Sequence, residues 1–246
     1  MTCTATTIPT RDGACPAWLL TPAAEGRWPG VIFYADAGGI RPAMVEMAQM
    51  LADMGYAVLL PDPYYRYGAY GPLVPREVFA GDVGAILGPL MATTGNDKAA
   101  QDCEAFLAFM EGHDAVAQGP LGAVGFCMGG GMAISAAATH TDRFAAVASF
   151  HGGNLATDAP TSPHRIAGQL KAELYLAAAD QDGSYPPEMA ERFEQALAEG
   201  GVHYRAETYA GAAHGWMVTD FPVYDPAGAA RGWSALRALF EQKLRA

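Results

Sequence analysis

The feature that most constrains the fold is an alternation running from about residue 29 to the end of the chain. Short apolar runs recur at PGVIFY (29–34), YAVLLP (56–61), PLGAVGF (120–126), FAAVASF (144–150), AELYLAA (172–178) and HYRAETY (203–209). Most lack the polar alternation of a half-exposed sheet, so they read as strands buried on both faces. Between them lie segments with helical spacing of apolar residues, at about 42–54, 98–112, 128–140, 186–199 and 227–245. Strands and helices in turn predict an α/β fold, a mostly parallel central sheet with helices on both faces. A chain of 246 residues can bury such a core as one unit. No repeat or linker-like stretch divides it, so a single domain over 1–246 is expected.

Composition removes several function classes. The formal charge of −11 opposes phosphate backbones, and the fifteen Lys and Arg residues are scattered, so neither nucleic acid nor a membrane surface is an expected partner. The start, MTCTATTIPTRDGACPAWLL, has no signal-like apolar region and no membrane-length apolar span. A cytoplasmic protein is expected. Cysteines 3, 15, 103 and 127 form no CxxC pair and show no metal-type spacing with histidine, which predicts free thiols and no metal site. No glycine pattern matches a dinucleotide or P-loop motif, so no cofactor is expected.

In open α/β sheets, ligands bind beyond the carboxyl ends of the strands. The residues found there are ADAGG after the run at 29–34, Cys127 after 120–126, HGG after 144–150, DQD after 172–178 and AAHGW after 203–209. The turn GFCMGG has the form GxCxGG, a variant of the GxSxG elbow, whose glycines permit a tight strand-to-helix reversal that exposes the nucleophile. Backbone N–H groups and the positive end of the following helix then face the sulfur, which favours a thiolate and an oxyanion. A buried, inert cysteine is the alternative that the motif alone leaves open.

A thiolate that attacks an acyl carbon needs a base, and the base needs an orienting carboxylate. His214 in AGAAHGW follows the last strand, and Asp182 in AADQDGSYPP follows the one before it. The chain order Cys127, Asp182, His214 is the nucleophile, acid, histidine order of α/β-hydrolases. Asp180, two residues from Asp182, is an alternative acid.

Together GFCMGG, DQDGSYPP and GAAHGW resemble the dienelactone hydrolase family, cysteine-dependent enzymes of the α/β-hydrolase fold, and the similarity of layout spans nearly the whole chain. The resemblance implies that Cys127 is the nucleophile, His214 the base and then the acid, and Asp182 its orienting carboxylate. It implies an oxyanion hole from the N–H groups of Ala37 and Met128. Where the dienelactone-opening members carry a glutamate beside the thiol, this chain has Asp36, a candidate thiol-assisting group. Those members also hold a substrate carboxylate with an arginine shortly after the histidine; HGWMVTDFPVYD has none and places Trp216 there. Arg41 and Arg76 are candidate replacements, and His151 in SFHGG is a candidate substrate contact.

The expected partner is therefore a small lactone or ester less charged than dienelactone. Acyl transfer from the same thioester to an alcohol or thiol, and a binding protein with an inert Cys127, are the alternatives. The long stretch 62–97, with four tyrosines near its start, reads as a pocket wall or lid, or as a surface excursion with its own short helix.

Overall fold

A computed structural model describes residues 2–245. The chain opens with an antiparallel hairpin, β1 (Thr2–Thr10) and β2 (Gly13–Thr21). Then follow β3 (Gly30–Tyr34), α1 (Pro42–Asp53), β4 (Ala57–Pro61), α2 (Pro75–Ala80), α3 (Val83–Met91) and α4 (Asn96–Gly112). The second half contains β5 (Leu121–Phe126), α5 (Met128–Thr139), β6 (Phe144–Phe150), α6 (His164–Ala167), β7 (Glu173–Gln181), α7 (Pro187–Glu199), β8 (Tyr204–Ala213) and α8 (Pro226–Leu244).

Among the described residues the strands form one sheet of eight, in the order β1-β2-β4-β3-β5-β6-β7-β8. Pairing is antiparallel from β1 to β2 and from β2 to β4, and parallel everywhere else. This is the α/β-hydrolase architecture expected from the strand and helix alternation.

The apolar runs of β3, β4 and β5 are buried at every position because both faces of the sheet are covered. In β3, Val31 and Phe33 point into a layer shared with Met44 and Met47 of α1 and Leu236 and Phe240 of α8. Ile32 and Tyr34 point the other way, into a layer with Phe106 of α4, Ile134 of α5 and Phe193 of α7. Helix α5 lies deep in that second layer: ten of its residues, Gly129 to Ala138, are buried. Its MGGGMAISAAAT sequence is the consequence, since only small side chains let a helix approach β3, β5 and β6 this closely.

Two regions differ from the sequence expectation. The N-terminal hairpin is absent from it because TCTATTIPT and GACPAWLLT each carry a proline and β1 buries only Ile8, although β2 buries Cys15, Ala17, Leu19 and Leu20. The stretch 62–97 is more ordered than its composition suggests, because it holds both α2 and α3 and the start of α4. Val78, Leu87 and Leu90 form a small apolar cluster with the fully buried Tyr64, separate from the two main layers.

Candidate active site

The reversal between β5 and α5 places Cys127 at φ 54°, ψ −118°, a left-handed conformation that costs free energy for a residue with a Cβ. Neighbouring contacts hold it there. The Cys127 amide donates to the carbonyl of Phe150 at 3.0 Å, and the Gly130 amide donates to the carbonyl of Cys127 at 3.0 Å. A Cβ on Gly129 would lie 2.2 Å from the carbonyl oxygen of Tyr34, so the glycine lets the elbow sit against β3.

Two loops build a chain of contacts that ends at this sulfur. His214, just past β8, sets its Nε2 2.9 Å from Cys127 Sγ. Its Nδ1 is 2.7 Å from Asp182 Oδ2, in the loop after β7. Burial works against the charged form of His214, but the hydrogen bond to Asp182, then that to Cys127, outweigh it and raise its pKa to about 10. Asp182 is likewise opposed by burial, yet hydrogen bonds from His214 and Ser184 hold its carboxyl below the usual range. Asp182 and Cys127 thus both favour the charged form of His214. Asp180 is not part of the chain of contacts, since it is exposed and its Oδ2 accepts from the Gly211 amide at 3.0 Å.

Ser184 takes part without having been picked out in the sequence. Its Oγ donates to Asp182 Oδ1 at 2.6 Å and its amide donates to the same oxygen at 2.9 Å, while Oγ stands 3.2 Å from His214 Nδ1. The signal was a serine two residues after an aspartate, the pattern of an Asx turn.

Ala37 and Met128 line, with Cys127, Asp182, Ser184 and His214, a cavity of about 480 Å3. A second cavity of about 190 Å3 also opens on Ala37, Cys127 and His214, and its remaining walls are apolar. The loop carrying Ala37 is fixed from two sides. The Tyr64 hydroxyl donates to the Ala37 carbonyl at 2.8 Å, and the Gly38 amide donates to Asp36 Oδ1 at 2.8 Å.

The remaining candidates fall elsewhere, and each placement corrects the sequence expectation. Asp36 is fully buried, and its hydrogen bonds run to Gly38 and to Arg41 at 2.6 and 2.8 Å rather than to the thiol. Arg41 cannot serve as an anion clamp: it is 2% exposed and its guanidinium is divided between Asp36 and Asp220. Burial opposes its charge, and the two carboxylates more than restore it. Arg76 is exposed on α2 and lines neither cavity.

Trp216 and His151 lie beneath the site. Trp216 is fully buried, stacked on Tyr209 with ring centroids 4.1 Å apart, because an indole gains more from that packing than from facing solvent. The His151 ring is also fully buried, 5.3 Å from the His214 ring, and lines neither cavity. Burial, and then the charge of His214, push its pKa well down, so it is a neutral packing partner.

Comparison with known proteins identifies the family and the fold. A Synechocystis protein provisionally named a carboxymethylenebutenolidase is 28% identical over 98% of this chain and 97% of its own length. A Bradyrhizobium protein named a probable 2-oxo-3-(5-oxofuran-2-ylidene)propanoate lactonase is 27% identical over 89% of this chain and 85% of its own. Among solved structures, a Klebsiella pneumoniae protein provisionally named a dienelactone hydrolase superposes with a TM-score of 0.86 at 24% identity, covering 98% of each chain. A dienelactone hydrolase-like promiscuous phosphotriesterase from metagenomic libraries superposes with a TM-score of 0.76 at 22% identity, covering 99% of each chain. The model of the dienelactone hydrolase family matches residues 15–244, and this chain belongs to that family of lactone and ester hydrolases.

Proposed function

We propose that this protein opens lactones or cleaves small carboxylic esters through a thioester on Cys127. The observation that carries the reading is the continuous chain of contacts from Asp182 through His214 to Cys127, at 2.7 and 2.9 Å, ending at a sulfur that faces a cavity. The names of the two relatives, a carboxymethylenebutenolidase and a lactonase, support a cyclic ester as one substrate form.

In the first step, Cys127 Sγ attacks the carbonyl carbon. A C–S bond forms, and the carbonyl π pair moves onto oxygen, where the N–H groups of Ala37 and Met128 receive it. Collapse restores the carbonyl and breaks the C–O bond, and His214 gives its Nε2 proton to the leaving oxygen. Water then attacks the thioester and yields its proton to His214. The C–S bond breaks, and the thiolate returns beside the imidazolium. Each oxyanion donor is expected to contribute about 100- to 1,000-fold in turnover.

The test is intact mass after brief incubation with 4-nitrophenyl acetate, run on the wild type and on Cys127→Ala. An added acetyl group on the wild type alone, decaying as acetate is released, is the expected result. Equal hydrolysis by Cys127→Ala overturns the thioester route. Adding a small alcohol or thiol separates hydrolysis from acyl transfer, because transfer would yield the new ester or thioester at the expense of acetate.

A further inference from the structure

The sulfur and the histidine are shared by two cavities of different chemistry. The larger carries Thr94, Asn96, Asn154 and Ser184 on its walls. The smaller is closed by Leu73, Pro75, Val78, Phe79 and Leu87, all from the segment between β4 and α4, and by Phe221 from the loop after β8. The Phe79 and Phe221 rings meet edge to face at 5.2 Å and join the two segments over it. A Cβ on Gly215 would lie 2.4 Å from the Phe221 ring, so the glycine after His214 allows this wall to close. Apart from Cys127 and His214 themselves, no side chain lining the smaller cavity is polar.

The two half-reactions assign the cavities. The leaving oxygen takes a proton from His214 and the attacking water gives one back to it, so both occupy the same side of the acyl carbon. That side must be reached by water. A cavity walled by amide and hydroxyl groups can hold water, whereas an apolar one stays dry. We propose, resting on the thioester reading above, that the smaller cavity holds the acyl group and that the preferred substrates are neutral esters of a compact apolar acid.

Size and charge support this choice. A dry apolar cavity of about 150 Å3 accommodates a benzene-sized guest, so the 190 Å3 cavity suits a phenyl ring or an alkyl chain of similar bulk. A carboxylate at the end of such a chain would be desolvated without a cation, because neither cavity is lined by a lysine or arginine. Arg41 is already divided between Asp36 and Asp220, and the chain's net charge of −11 opposes an anionic substrate from a distance.

The experiment compares kcat/KM for 4-nitrophenyl acetate, 4-nitrophenyl hexanoate and the 4-nitrophenyl monoester of adipic acid, in which a carboxylate replaces the terminal methyl of the hexanoyl chain. Burial of the extra methylenes is expected to raise the hexanoate value at least about tenfold above acetate. Hexanoate is expected to exceed the adipate monoester by about 100-fold or more. Val78→Phe, which fills the cavity, should lower the ratio of hexanoate to acetate at least about tenfold, and Val78→Ala should move the best chain length upward. The two variants guard against one that fails to fold.

A wild-type ratio near one, an adipate monoester cleaved as well as hexanoate, or a ratio that neither variant moves would overturn the assignment. If acetate nevertheless acylates Cys127, the thioester reading stands and only the acyl cavity is wrong. If no ester acylates Cys127, both fail together.

Discussion

Arg41 and Asp220 meet across 179 positions of the chain, with Nε 2.7 Å from Oδ2 and Nη2 2.9 Å from Oδ1. Arg41 belongs to the loop after β3 that carries Ala37, and Asp220 to the loop after β8 that carries His214. Its other bonds go to the Asp36 carboxylate and the Gly39 carbonyl, so one guanidinium straps together the segment beside the sulfur and the segment that brings the imidazole to it.

The two carboxylates should contribute unequally. Arg41→Met leaves Asp36 fully buried with its ion-pair partner gone, and removing one member of a buried pair costs about 3–5 kcal/mol. The Asp220 side chain is 31% exposed, and Asp220→Asn still accepts a hydrogen bond, so its expected cost is about 1 kcal/mol or less. Urea unfolding of both variants measures the difference. Equal losses would show that the Asp36 pair is not what makes the strap strong.

This strap also marks where sequence reading stops. The parallel strands β3 to β8 were legible because burial on both faces leaves a nearly continuous apolar run. Cys127, Asp182 and His214 were legible because each follows such a run at the edge where sites form. Asp36 and Arg41 were visible as residues, but the distant Asp220 that holds the guanidinium carries no local signal. Trp216 was misplaced for a related reason: proximity to His214 in sequence says nothing about which side of the turn an indole takes, and Tyr209 beneath it decides. The apolar cavity was hidden in 62–97, where Leu73, Val78 and Leu87 become one wall only after α2 and α3 fold against Tyr64.

Ser184→Ala isolates a positioning contribution. It removes the 2.6 Å hydrogen bond from Oγ to Asp182 Oδ1, while the Ser184 amide and the His214 contact to Asp182 remain. A hydrogen bond to a charged group contributes about 1.5–3 kcal/mol, so turnover should fall about 10- to 100-fold, with KM for 4-nitrophenyl acetate within about twofold. Ser184→Thr, which keeps the hydroxyl, should recover part of the loss. A rise in KM with unchanged kcat would instead place Ser184 in substrate binding.

The protonation state of His214 can be read from stability. An unfolded histidine titrates near pH 6.5, and the folded one is raised to about 10. Between those values the folded chain holds a proton that the unfolded chain has released, so stability falls as pH rises. This contribution is fully present below about pH 6.5 and is lost as pH passes through the folded value, with a slope of up to about 1.4 kcal/mol per pH unit. Asp182 acts at the other end: its lowered pKa gives a contribution present above the ordinary aspartate range and lost as pH falls. Urea midpoints of the wild type and His214→Gln, measured from pH 6 to pH 10, should therefore converge as pH rises. A gap that stays constant over that range would mean that His214 rests neutral beside Cys127.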